Sequence, residues 1–165
     1  MTGDKVRVVV GDDHPMFRDG VVRALQSSGS IDVVAEADDG PAALAALAPI
    51  REHRPQVALL DYRMPGMDGS AVAAAVVRDE LPTRVLLISA HDESAIVYRA
   101  LRDGAAGFLP KESTRSELVN AVLDCAKGRD ISVAFSDRPS LTAIIGAVTA
   151  GGYLAVWIFY SKRDD

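Results

Sequence analysis

Five short apolar runs, each followed by a segment of helical spacing, constrain this chain more than any other feature. The runs cover residues 6–10, 32–37, 57–60, 84–89 and 107–110. Short apolar runs bounded by turn signals read as buried strands. The first is followed by Pro15, which suits a first helical turn, and by an apolar stripe of Phe17, Val21, Val22 and Leu25 that Gly29 ends. Pro41 opens a second helix over 42–47, which Pro49 disturbs. Helices over 70–79 and 94–102 follow, with Gly104 as the stop of the latter. Thr114 to Glu117 forms a capping-box pattern that starts a fifth helix, ending near Lys127. Strands alternating with helices imply an α/β fold: a doubly wound five-stranded parallel sheet with helices on both faces. Crossovers in such sheets are right-handed, and ligands collect beyond the carboxyl ends of the strands.

The polar residues at those ends form a pattern. The first strand runs into Asp12 and Asp13, the third into Asp61, the fourth ends in Ser89 and the fifth reaches Lys111. Taken singly, each has an ordinary reading. The acidic pair could cap a helix, Asp61 could cap a turn, Ser89 could be a loop hydroxyl and Lys111 could be solvated. Four strand ends carrying complementary chemistry are harder to assign to chance. Three neighbouring carboxylates repel one another unless one is protonated or a cation joins them. Mg2+ fits, because it takes a few carboxylates, keeps waters and recruits phosphate oxygens. Lys111 offers a point charge to an anionic oxygen, Ser89 a hydroxyl donor, and Asp61 a carboxylate nucleophile of the kind that forms aspartyl phosphates.

Composition excludes other classes. The net charge is -5, and no Lys/Arg-rich block leaves an electrostatic footprint for nucleic acid. The single cysteine, Cys125, excludes an internal disulfide and fits a reducing, cytoplasmic compartment. Its helical spacing with Leu118 and Val122 reads as core packing. The N-terminal apolar run is too short for a signal peptide. His14, His53 and His91 read as solvated loop residues.

These motifs together resemble the receiver domain of bacterial two-component response regulators. The resemblance rests on Asp12-Asp13, on Asp61 followed by MPGMDG, on Ser89-Ala90, and on Phe108 three residues before Lys111, and it extends from about Lys5 to Arg129. The wording DDHPMFRDG and GFLPKE is similar to the subfamily whose receivers usually precede a helix-turn-helix DNA-binding domain. The resemblance implies that Asp61 accepts a phosphoryl group from a sensor histidine kinase. It implies that Asp12, Asp13 and Asp61 hold Mg2+ with the backbone carbonyl of Arg63. Lys111 and Ser89 would contact the phosphoryl group, Ser89 and Phe108 would switch conformation together, and activation would involve a homodimer. Two rivals are a non-phosphorylated interaction module of the same fold and an aspartyl-phosphate phosphatase. The phosphatase would favour an aspartate two residues after the nucleophile, where Arg63 stands.

The organisation expected is a receiver domain over 1–130, a linker over 131–140, a hydrophobic segment over 141–160 and a polar terminus over 161–165. The segment 141–160 carries no charge. At about 1.5 Å per residue a helix of this length reaches across a bilayer core, so a transmembrane or membrane-associated tail is one expectation. A β-prone stretch packed on the domain or on a second copy is another, and an accidental extension is a third. This tail lacks the charged pattern of a helix-turn-helix domain, so no nucleic-acid contact is expected through this chain.

Overall fold

The computed structural model describes residues 3–48, 53–90, 94–128, 146–150 and 153–157. The chain divides into two compact units, Met1–Ile131 and Ser132–Asp165. In the first unit the elements alternate as β1 (Val6–Gly11), α1 (Pro15–Ser27), β2 (Ile31–Ala37), α2 (Gly40–Ala46), β3 (Val57–Asp61), α3 (Gly69–Arg78), β4 (Arg84–Ser89), α4 (Ser94–Arg102), β5 (Gly107–Pro110) and α5 (Arg115–Ala126). The strands form one sheet in the order β2-β1-β3-β4-β5, and every pairing is parallel. The doubly wound five-stranded reading therefore holds, with strand and helix ends moved by a residue or two.

The inner strands explain the stability of this arrangement. All five residues of β3 are buried, as are the last five of β4. Leu59, Leu60, Leu86 and Leu87 are each at most 1% exposed, and each such side chain contributes about 1.5–3 kcal/mol on leaving water. Helix α1 packs against α5, while α2 packs on α3 and α3 on α4. Local chemistry fixes the helix starts. The Asp39 carboxylate accepts from the Ala42 amide at 2.7 Å, and Asp68 from the Ala71 amide at 2.8 Å. At α5 the Thr114 hydroxyl accepts from the Glu117 amide at 3.2 Å, and it donates to the Glu117 carboxylate at 3.0 Å. The predicted capping box is thus present, closed side chain to side chain. The α1 start differs from the helix-cap reading of the acidic pair. Its N-cap is His14, with no side-chain cap bond, which leaves Asp12 and Asp13 for other work.

The second unit departs from the expectation of a helical span. Its described residues are two antiparallel strands, β6 (Gly146–Ala150) and β7 (Tyr153–Trp157), with Ala150 opposite Tyr153 and Gly146 opposite Trp157. Among the described residues no helix is long and apolar enough to cross a membrane. Val148, Thr149, Tyr153, Val156 and Trp157 all favour strands, and Gly151-Gly152 lies between them in sequence, a pair that suits a tight antiparallel connection. The linker over 131–140, the terminus over 161–165, Pro49 and His91 lie outside the described residues.

One close contact ties the fold to the loop after Asp61. A Cβ on Gly69 would lie 2.6 Å from Leu87 Cδ2 and 2.9 Å from the Asp61 carbonyl oxygen. The Gly69 amide also donates to the Tyr62 carbonyl at 2.7 Å. Gly69→Ala is therefore expected to lower stability by about 1–3 kcal/mol, read as a shift in the urea midpoint at unchanged slope.

Candidate functional site

The sheet order places β1 and β4 on either side of β3, and β5 beyond β4. The carboxyl ends of these strands share one edge, and Asp12, Asp61 and Lys111 converge there. Asp12 and Asp61 are each 2% exposed, while Asp13 is exposed. The Lys111 ammonium donates to Asp61 Oδ2 at 2.9 Å and stands 3.3 Å from Asp12 Oδ2. Asp61 Oδ1 accepts from the Arg63 amide at 3.3 Å. The turn-capping and site readings of Asp61 thus coexist, one on each carboxylate oxygen. For Arg63 the contact is through the amide, and its carbonyl stays an implied ligand only.

Ser89 ends β4 and is buried, and its carbonyl accepts from the Lys111 amide at 2.9 Å. This backbone bond sets where the Lys111 side chain begins. Phe108 is 3% exposed, and its ring centroid lies 6.4 Å from that of Tyr62 at a tilt of 56°. Tyr62, buried next to Asp61, therefore links the loop after β3 to the aromatic on β5.

Three further residues belong to the site that the sequence did not single out. His14, read as solvated, has Nδ1 at 2.9 Å from Asp12 Oδ1, 3.0 Å from Asp13 Oδ1 and 3.6 Å from Asp61 Oδ2. Phe17, assigned to the apolar stripe of α1, lies under Lys111, with Nζ 4.4 Å from its ring centroid. Such a contact favours the charged ammonium. Arg18 donates from Nη1 to the Asp12 carbonyl at 2.6 Å and stands 3.4 Å from Glu36 through Nε, which steadies the loop carrying the acidic pair. The motif DDHPMFR holds the signal for all three, but only a folded loop reveals which side chains turn back.

The charges do not balance. Burial, the largest influence, pushes the Asp61 carboxyl above the ordinary carboxylate range, and the Asp12 charge adds to it. The bond and charge of Lys111 and the Arg63 amide offset this only in part. Lys111 is itself raised: burial works against its charge most strongly, but the bonds and charges of Asp61 and Asp12 together outweigh that. One ammonium pairs with two buried carboxylates, and a third, Asp13, stands in the same cluster.

The donor set fits a hard divalent cation. Ligand atoms from Asp12, Asp13, His14 and Asp61 all lie within 4.8 Å of one another. Asp12 Oδ2 is buried and is ion-paired with the Lys111 ammonium at 3.3 Å, so a negatively charged oxygen is held within the cluster. Asp12, Asp13 and Asp61 are the residues that would hold the ion.

An acid with a raised folded pKa has its full stability contribution below the unfolded value, near 4, and loses it as pH rises through the folded value. In chelator, Asp61→Asn should therefore gain melting temperature over the wild type as pH goes from about 4 to about 7. An unchanged difference would mean that Asp61 is not strained by its surroundings.

Comparisons with known proteins give the family and the fold. The family model of the response regulator receiver domain matches residues 8–123. The "Probable transcriptional regulatory protein NarL" of Mycobacterium tuberculosis is 74% identical over 128 residues, 78% of this chain and 58% of that protein. The transcriptional regulatory protein DegU of Brevibacillus brevis is 34% identical over 125 residues, covering 76% and 52%. The chain thus spans little more than half the length of these relatives. Among solved structures, the signal receiver domain of NarL from Mycobacterium tuberculosis superposes with a TM-score of 0.73 at 74% identity, covering 77% of this chain and 100% of that one. The response regulator ChrA of a heme-sensing two-component system gives 0.64 at 34%, covering 76% and 59%.

Proposed function

The chain belongs to the response regulator receiver family, and from that premise we propose that it is a phosphorylation switch whose acceptor is Asp61. The supporting observation is the pairing of the buried Asp61 carboxylate with the Lys111 ammonium at 2.9 Å, beside the buried Asp12. A carboxylate held at the mouth of the sheet is a usable nucleophile. One of its oxygens attacks the donor phosphorus. A new O–P bond forms as the bond from phosphorus to the donor's leaving atom breaks, and that atom departs with the electron pair. The donor is a sensor histidine kinase.

A divalent cation such as Mg2+, when bound by Asp12, Asp13 and Asp61, supplies neutralisation of the phosphoryl oxygens. Lys111, already charged and cradled by Phe17, turns from Asp61 Oδ2 to an oxygen of the new group. Ser89, at the end of the neighbouring strand, donates its hydroxyl to another. The added charge of about -1.5 to -2 draws these two groups inward, and Phe108, packed beside Tyr62, repacks with them. A buried strand end biased in this way is a two-state element, and its output is a homodimer formed through a helical face.

Incubating the purified chain with acetyl phosphate and Mg2+ should add one phosphoryl group by intact mass. Asp61→Asn should abolish the adduct, and Lys111→Met should lower its yield about tenfold or more. An adduct of wild-type yield in Asp61→Asn would remove Asp61 as the acceptor. No adduct in a chain that still binds Mg2+ would favour a module that works without phosphorylation by small donors.

A further inference from the structure

We propose that Phe17 is a positioning residue for phosphoryl acceptance: the face of its ring holds the Lys111 ammonium beside Asp61, where the incoming group needs it. The inference rests on the reading of Asp61 as the acceptor given above. Lys111 Nζ stands 4.4 Å from the centroid of the Phe17 ring, 2.9 Å from Asp61 Oδ2 and 3.3 Å from Asp12 Oδ2. The ammonium is thus gripped by a π face and by two carboxylate oxygens. The lysine side chain is 17% exposed, and a cation–π contact gains strength as water is excluded.

Both partners sit on fixed backbone. The Lys111 amide donates to the Ser89 carbonyl at 2.9 Å, and Ser113 closes a turn on the Pro110 carbonyl through its amide at 3.1 Å and its hydroxyl at 2.7 Å. Phe17 lies in the first turn of α1 beside Arg18, whose amide donates to the His14 carbonyl at 2.9 Å and whose guanidinium donates to the Asp12 carbonyl at 2.6 Å. The ring is therefore anchored from the end of β1, and the lysine backbone from the ends of β4 and β5. Between these anchors runs only a flexible four-carbon stem with a rotatable ammonium.

The need for a holder arises in the transfer itself. In the resting site the Asp61 carboxylate fixes the ammonium. As that carboxylate takes up the phosphoryl group, its charge passes to the phosphoryl oxygens and its hold on Lys111 weakens. The ring is a neutral partner whose attraction does not depend on the state of Asp61. It keeps the ammonium at the strand edge while the bond to the carboxylate is exchanged for a bond to a phosphoryl oxygen. A side chain released into water would have to be recaptured in every transfer. An aliphatic residue would fill the same volume, but it offers no negative face.

The test replaces Phe17 in the full chain with mono-, di- and trifluorophenylalanine, which drain the ring face with little change of size, and adds Phe17→Leu. Phosphoryl uptake from acetyl phosphate with Mg2+ is timed by intact mass. The rate should fall stepwise along the fluorine series, by about three- to tenfold at the trifluoro member and in Phe17→Leu. In a Lys111→Met background the same series should be flat, because the ring then has no cation to hold. The ε-methylene proton resonances of Lys111 should lie upfield in the wild type and return to ordinary positions in Phe17→Leu, a readout independent of phosphorylation. A flat fluorine series, Phe17→Leu at the wild-type rate, a fluorine effect that persists in Lys111→Met, or Lys111 resonances that Phe17→Leu leaves in place would each overturn the role of Phe17 alone. A wild type that takes up no phosphoryl group while its Lys111 resonances lie upfield would instead strike the acceptor reading under "Proposed function", and this role with it.

Discussion

Two carboxylates buried side by side, with one ammonium between them, set the terms for the rest of the molecule. Asp12 and Asp61 occupy the ends of adjacent strands, and Lys111 reaches both. Neither acid is accessible enough for water to screen it, and a single lysine cannot satisfy both together with Asp13. The fold supplies rigidity to hold this arrangement through the leucine-rich strands beneath it. It supplies partial compensation through the Arg63 amide, the Phe17 ring and the Arg18 brace on the Asp12 carbonyl. What it leaves uncompensated is the capacity to accept a cation and to respond to an incoming anion. The resting site is thus electrostatically unfinished by construction.

The scaffold was legible in the sequence for a physical reason. Strands covered on both faces carry unbroken apolar runs, so β3 and β4 announce themselves without any appeal to periodicity. The acidic pair, Asp61, Ser89 and Lys111 were legible because parallel topology sends every strand's carboxyl end to the same edge. His14, Phe17 and Arg18 were not legible at the same level. Each follows the acidic pair on the β1–α1 loop or the first turn of α1, where helical spacing predicts the facing of Phe17 toward the core. The folded chain instead uses the beginning of that helix to return ring and guanidinium groups to the strand ends. Tyr62 escaped notice for a related reason. It follows Asp61 directly, and only its tilt against Phe108 shows that it connects the loop after β3 to β5.

The uncharged segment over 141–160 teaches a different lesson. Its hydropathy alone carries length and little else, and a helix and a pair of strands satisfy the same apolar count. Glycines at 146, 151 and 152, with β-branched and aromatic residues between them, tip the described part toward paired strands. Composition within the run, rather than its mean, held the information.

The strand order has a consequence in time. Asp61 and Lys111 lie 50 residues apart in sequence, and the neighbours β1 and β3 are joined across β2 and α2. No local fragment can bring these groups together, because each parallel pairing needs a completed crossover. A chain that has not yet reached β5 holds Asp61 without its ammonium partner. Only after β5 has docked does Lys111 reach it. The complete cluster is therefore a product of the finished sheet, and no partial chain that lacks β5 can hold it.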